Sequence, residues 1–279
     1  MSFNIIETYD DLSYLNKELL EKKYIAIDTE FRRTKKDNMK LALLQVNDGE
    51  EIYLIDSVKI ENPDNACDFL FSNSVLKILH SCKEDLEAIY SWTGKTLSNV
   101  FDTQIANEFL GGDYSVSYQT LVENQLEIIL DKRETRSNWL RRPLTDSQLS
   151  YAASDVEFLI HLYLDQKEKL SIEKKINWFY EDINLLVNNT FSPSDNVWQK
   201  PVTLTKPEER IAVKDFNKII LRISEKERIN QTLFFSKKLQ KIFIRNLFSM
   251  GIELAFKDMS KWRCDLLRNE IESFYFEYK

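Results

Sequence analysis

The chain has 279 residues, 43% of them apolar and including 17 Phe and 12 Tyr, with a formal net charge of −7. That composition excludes a disordered chain and suits one ordinary domain plus a smaller one. The start, MSFNIIETYDDLSYLN, lacks the basic-then-apolar order of a secretion signal, and no apolar run reaches the roughly 18 residues of a membrane span.

Four short runs rich in β-branched and aromatic residues predict strands: YIAIDTEF, KLALLQV, EIYLID and VLKILH. Asp48-Gly49 supplies a two-residue hairpin turn between the second and third. DNACDFLFSN, between the third and fourth, reads as a helix, as do KEDLEAIYSW and DTQIANEFL after the fourth. Asp102 stands as a helix N-cap. From Leu149 to about Leu170 the absence of Gly and Pro predicts one long helix. Antiparallel strands followed by a helix and a further strand give an α/β fold with a mixed sheet.

The back half differs. FSPSDNVWQKPVTLTKPEER holds three of the five prolines and reads as a linker or surface loop. Beyond it, IAVKDFNKIILRISEKERI, SKKLQKIFIRNLFSM and SKWRCDLLRNEIESFY carry helical periodicity. The expected organisation is therefore a domain over 1–170, a helical connector and linker over 171–204, and a smaller all-helical domain over 205–279. Charge divides similarly: residues 171–279 carry 19 Lys and Arg against 15 Asp and Glu, whereas residues 1–170 carry 19 against 30. Such a split fits a metal-dependent site beside a polyanion-gripping module, and it fits two ordinary solvated surfaces as well.

Cys67, Cys82 and Cys264 are odd in number and lack close Cys or His spacing, which speaks against a disulfide framework or a structural zinc site. Reduced thiols and a cytoplasmic, unsecreted protein are expected, with no membrane association.

Acids break the apolar pattern at three places. On a strand, Asp28 and Glu30 project to one face. Two such carboxylates repel unless a cation lies between them, although by itself the pair is a weak motif that a solvent-facing strand end explains more readily. Asp85 falls in the first turn of the helix after the fourth strand, where an acid also complements the helix dipole. His80 just before it reads as a satisfied core histidine. Tyr151 and Asp155 lie four apart on one helical face, among small and apolar residues, so Asp155 needs a cation or an arginine beside it.

Taken in order, IDTEFRRTKKDNMKLALLQV, LHSCKEDLEAIY, FDTQIANEFLG and DKRETRSNWLRRPLTDSQLSYAASDVEFL resemble the DEDDy class of 3′→5′ exonucleases, and within it the bacterial ribonuclease D family. The resemblance covers about residues 1–170. It implies a ribonuclease H-like mixed sheet, followed by helical, HRDC-like nucleic-acid-binding modules of which the remaining length holds one. It further implies that Asp28, Glu30, Asp85 and Asp155 ligate two divalent metal ions, Mg²⁺ or Mn²⁺, and that Tyr151 touches the attacking water. Oxygen-only ligands suit these hard ions. Two ions about 4 Å apart serve phosphodiester hydrolysis by activating the nucleophile and stabilising both reacting oxygens. A free phenol titrates near 10, so Tyr151 is expected to orient the water more than to deprotonate it.

The activity implied is trimming of RNA 3′ ends, transfer-RNA precursors in particular, with release of nucleoside 5′-monophosphates and no obligate protein partner. DNA exonuclease activity of the same chemistry, or nonhydrolytic nucleic-acid binding, are the competing readings. Substrate contacts are expected from Phe31 by stacking and from Arg32, Arg33, Lys35, Lys36, Arg136, Arg141 and Arg142 through phosphates. A core phenylalanine and solvated loop charges explain these residues as well. One departure from the family pattern is Ser137-Asn138-Trp139, where relatives read Ser-Asp-Trp.

Overall fold

The computed structural model describes residues 2–35, 38–130, 137–191 and 204–278. Strands β1 (Asn4–Ile6), β2 (Tyr24–Lys35), β3 (Asn38–Asn47), β4 (Ile52–Ile55), β5 (Leu76–Leu79) and β6 (Val100–Asp102) form a sheet in the order β1-β4-β3-β2-β5-β6. β3 runs antiparallel to β2 and β4, while the remaining pairs are parallel. The expected mixed sheet is present. It gains β1 and β6, three-residue strands too short to show an alternating pattern.

Around the sheet lie α1 (Tyr9–Leu20), α2 (Lys83–Thr93), α3 (Thr103–Phe109), α4 (Tyr118–Leu126), α5 (Asp146–Glu157), α6 (Leu159–Ile172) and α7 (Ile176–Asn189). α2 packs on β2 and β3, and α5 packs on β2, β3 and β4. The core between them is aliphatic, with Ile25, Ile27, Leu43, Leu44, Val46 and Leu54 fully buried.

Three local expectations are corrected. The β3–β4 hairpin turns at Gly49-Glu50, one residue later than read, because Asp48 pairs with Glu51 and its carboxylate accepts from the Glu50 and Glu51 N–H groups at 2.9 and 2.8 Å. Gly49 takes the positive φ of +94° that this turn requires. DNACDFLFSN forms only a 3₁₀ turn at Asp68–Leu70, since the Phe69 N–H is drawn to the side-chain oxygen of Asn16 at 3.1 Å.

The single helix expected from Leu149 to Leu170 is two. The Tyr118 hydroxyl donates to the Ser154 carbonyl at 3.2 Å and accepts from the Phe158 N–H at 3.1 Å, standing where a direct i→i−4 bond would close. Asn47 of β3 donates to the Val156 and Glu157 carbonyls at 3.0 and 3.3 Å. The break comes from partners distant in sequence, and nothing local announces it.

α7 is built into the core: its Phe179, fully buried, lies 4.5 Å from Phe101 of β6 and 6.3 Å from Phe109 of α3. The linker read over 191–210 falls largely outside the described residues. Beyond it follow α8 (Lys206–Glu227), α9 (Gln231–Phe235), α10 (Lys237–Met250), α11 (Ile252–Phe256) and α12 (Lys261–Glu277), in agreement with the helical reading. Their own aromatic centre includes Phe216, Phe235 and Phe243.

This helical region is docked on the first. Trp262 of α12 is 2% exposed, stacks on Trp178 of α7 at 5.3 Å and lies 5.2 Å from Phe109 of α3. Its indole N–H donates to Asp182 at 2.8 Å, which also pairs with Arg263 at 2.6 Å. The buried ammonium of Lys175 donates to the carbonyls of Phe109 and Arg228, both at 2.9 Å, joining the two regions a second time.

Candidate active site

The acids enter from three elements. Asp28 and Glu30 project from one face of β2, and a register shift follows immediately, between Glu30 and Phe31. There Ala42 of β3 is left without a partner in the ladder, as in a β-bulge. Such irregularities re-aim neighbouring side chains, here at the point where the acid pair ends.

Asp155 comes from α5, whose start is fixed by a capping box between Thr145 and Gln148. Ala152 and Ala153, both fully buried, allow this helix to lie close to the sheet. One carboxylate oxygen each from Asp28, Glu30 and Asp155 lie within 4.8 Å of one another. Tyr151, one turn earlier, donates a hydrogen bond to Asp155.

Asp85, 6% exposed, enters from the first turn of α2. It accepts a hydrogen bond from the Thr29 hydroxyl, so the residue between the two β2 acids orients the third element's acid. Asp85 stands outside the close trio but within its field, since its charge helps to raise the Glu30 pKa, and its own pKa is raised by burial and then by Asp28. Its turn is held by Asp102, whose carboxylate accepts from the N–H groups of Ser81 and Cys82 at 3.1 and 2.8 Å while capping α3. The N-cap reading of Asp102 is thus correct, with a second duty the sequence did not reveal.

A cavity of about 210 Å³ opens on the trio, lined by Asp28, Glu30, His80, Tyr118, Gln119, Tyr151 and Asp155. No lysine or arginine is among these lining residues. Burial raises the Asp28 pKa to about 7. Burial, then the charges of Asp28, Asp155 and Asp85, raise Glu30 to about 10. Burial and Asp28 raise Asp155 to about 8, against the lowering effect of the Tyr151 hydrogen bond. Carboxyl oxygens that converge with no lysine or arginine among the lining residues match, once deprotonated, the ligand set of a hard divalent cation.

His80 is the satisfied core histidine expected. Its Nε2 lies 2.9 Å from the Val116 carbonyl and its Nδ1 2.9 Å from the Thr103 hydroxyl, and burial lowers its pKa.

The expected substrate contacts separate. Arg32 is exposed and Phe31 half-buried against the core, and neither lines the cavity. Arg33 is paired with Glu87 at 2.6 Å and Glu84 at 3.4 Å. Lys36 and Arg136 lie outside the described residues. Arg142 is a correction. Its guanidinium meets Asp56 through two nitrogens at 2.5 and 2.7 Å, and donates to the carbonyls of Ala42, Trp139 and Arg141. All five donors are spent within the fold, and the bulge carbonyl of Ala42 is one of the acceptors.

Tyr118 and Gln119 were missed, because the short helix carrying them has no pattern that points to the acids. Gln45, the polar residue inside KLALLQV, does not line the cavity, but it pairs across the sheet with Asp28.

A ribonuclease H-like sheet with three acids converging from a strand and a helix, and a fourth beside them, is the architecture of an acid-dependent nuclease fold. Residues 3–171 match the family model for a 3′-5′ exonuclease domain. The chain belongs to that 3′-5′ exonuclease family. Ribonuclease D of Pseudomonas paraeruginosa is 41% identical over 179 residues, which cover 64% of this chain and 47% of the relative. The chain spans about half the length of the curated relatives it matches first. Escherichia coli RNase D, described as an exoribonuclease involved in structured RNA processing, superposes with a TM-score of 0.65 at 22% identity, covering 100% of this chain and 75% of that one. Brucella melitensis NrnC with bound Mg²⁺ superposes with a TM-score of 0.57 at 22% identity, covering 67% and 89%.

Proposed function

We propose that this chain is a metal-dependent 3′→5′ exoribonuclease that removes nucleotides from RNA 3′ ends as nucleoside 5′-monophosphates. The observation that carries the reading is the convergence of Asp28, Glu30 and Asp155 within 4.8 Å, in a cavity with no lysine or arginine among its lining residues. The family relationship and the ribonuclease D relatives support it.

In this reading Asp28, Glu30 and Asp155 hold divalent ions, two in number, Mg²⁺ or Mn²⁺, with Asp85 completing the set. When bound, such ions supply an activated nucleophile and charge stabilisation for phosphodiester hydrolysis. Tyr151, held by Asp155, orients the attacking water. Tyr118 and Asn47 donate to the Ser154 and Val156 carbonyls on either side of Asp155, which supports a fixed position for its carboxylate. Phe31 and Arg32, just past the bulge, approach the terminal nucleotide. The basic residues of α8 and α10 extend the grip to the body of the RNA. Transfer-RNA precursors with free 3′ ends are the proposed natural substrates and the cytoplasm the proposed location. Three free cysteines support the latter, and no helix of the described residues is long and apolar enough to cross a membrane.

The test is a panel of labelled single-stranded RNA, single-stranded DNA and a transfer-RNA precursor, each with Mg²⁺, Mn²⁺ or chelator. Stepwise shortening of RNA from the 3′ end, abolished by chelator, is expected. Equal shortening of DNA would remove the RNA preference, and no shortening of any substrate would remove the enzyme.

A further inference from the structure

Gln45 of β3 is fully buried, and neither its amide oxygen nor its amide nitrogen has a hydrogen-bond partner among the described residues. Leaving a buried amide unpaired is costly, so its presence in a sheet interior calls for a reason. Its place supplies one. Gln45 lies directly opposite Asp28 in the antiparallel ladder, and directly opposite side chains share one face at about 4.5–5.5 Å between Cβ atoms. That face is the one under α5, because Asn47, two residues along, reaches the α5 carbonyls of Val156 and Glu157. On its other flank Gln45 pairs with Leu54 of β4, and α5, in which Ala152 and Ala153 are buried, packs on β3. Asp28 is therefore a polar neighbour toward which an amide pinned in this layer can turn.

We propose that Gln45 is a positioning residue for Asp28. Through one bridging water, its amide holds the Asp28 carboxylate in the orientation a divalent cation requires. A buried water needs two to four polar partners, and the two amide atoms with the carboxylate provide them. Outer partners of this kind orient ligating carboxylates, and their loss weakens cation affinity about 10–100-fold. The amide is costly to the fold by itself and is retained for the site beside it. The inference rests on the reading of the acids as a cation site.

The test uses the full chain and Gln45→Met, close in shape but without donors or acceptors, with Gln45→Leu as a second variant. Melting in chelator is measured first. Binding of Mn²⁺ alone is then followed by calorimetry and by the electron paramagnetic resonance signal of the bound ion. The expected result is a metal-free melting temperature equal to or above that of the parent, together with Mn²⁺ affinity weakened at least about tenfold and an altered bound-ion spectrum. Parent-like affinity and spectrum in both variants would overturn the proposal. So would a fall in metal-free stability in both, since the amide would then be serving the fold. Asp28→Asn separates this from the underlying reading: if that variant also binds Mn²⁺ as the parent does, the cation site itself fails.

Discussion

The hydroxyl of Tyr151 donates to the carboxylate of Asp155 one helical turn later, and this bond favours the charged form of an acid whose pKa burial and the Asp28 charge still hold up at about 8. The phenol is thereby aimed at the acid cavity. Tyr151→Phe keeps the ring contact with Trp139, 6.2 Å away, and loses only the hydroxyl. Turnover on RNA should fall about tenfold or more, while Mn²⁺ affinity measured above pH 9 stays within a few-fold. Loss of cation binding in this variant would show that the hydroxyl holds the site together instead of orienting the nucleophile.

Proton linkage gives a second expectation. Asp28, Asp155 and Glu30 rise from 3.8, 3.8 and 4.5 to about 7, 8 and 10. The folded, cation-free protein then binds more protons than the unfolded chain between about pH 4 and 10, so this contribution to stability is full below pH 4 and is lost as pH rises through those values. A divalent cation displaces the protons, so its affinity should climb over the same window. Melting curves in chelator and in Mg²⁺, taken from pH 5 to 9.5, check both. The gap between them should widen with pH, and a constant gap would contradict the linkage.

Arg142 separates scaffold from substrate grip. Arg142→Lys retains the charge but cannot reproduce the two-point contact with Asp56 and the bond to Ala42 together. Stability should drop by about 1–3 kcal/mol in denaturant titrations. The Michaelis constant for RNA should change far less than it does in Arg32→Ala. The reverse pattern would return Arg142 to the substrate.

Trp262 is expected to weld the helical region to the exonuclease region. Its removal leaves a void between Trp178, Phe109 and Phe234, so Trp262→Ala should cost about 3–5 kcal/mol. Limited proteolysis near residue 204 should release a C-terminal fragment from the variant faster than from the parent. An unchanged cleavage rate would mean that the docking is held elsewhere, with Lys175 the next residue to test.

Much of this candidate site is legible in the sequence alone. Asp28 and Glu30 share a face because a strand has a period of two, and Tyr151 meets Asp155 because a helix has one near four. Those periodicities are local, so sequence reveals them. What stayed hidden depends on distant partners. The hydroxyl of Tyr118 ends α5 from another helix, the bulge at Ala42 emerges only from the pairing of β2 with β3, and Arg142 is claimed by Asp56, 86 positions away. Gln45 lies between these cases: its polarity within an apolar run was visible, but its partner depended on register.

The most direct measurement is RNA shortening by Asp28→Asn, which removes one negative charge from the trio with almost no change of shape. The account predicts that the variant folds, loses the Mn²⁺-induced rise in melting temperature, and releases nucleoside monophosphate at least about 1000-fold more slowly. A variant that trims RNA at the parental rate would contradict it.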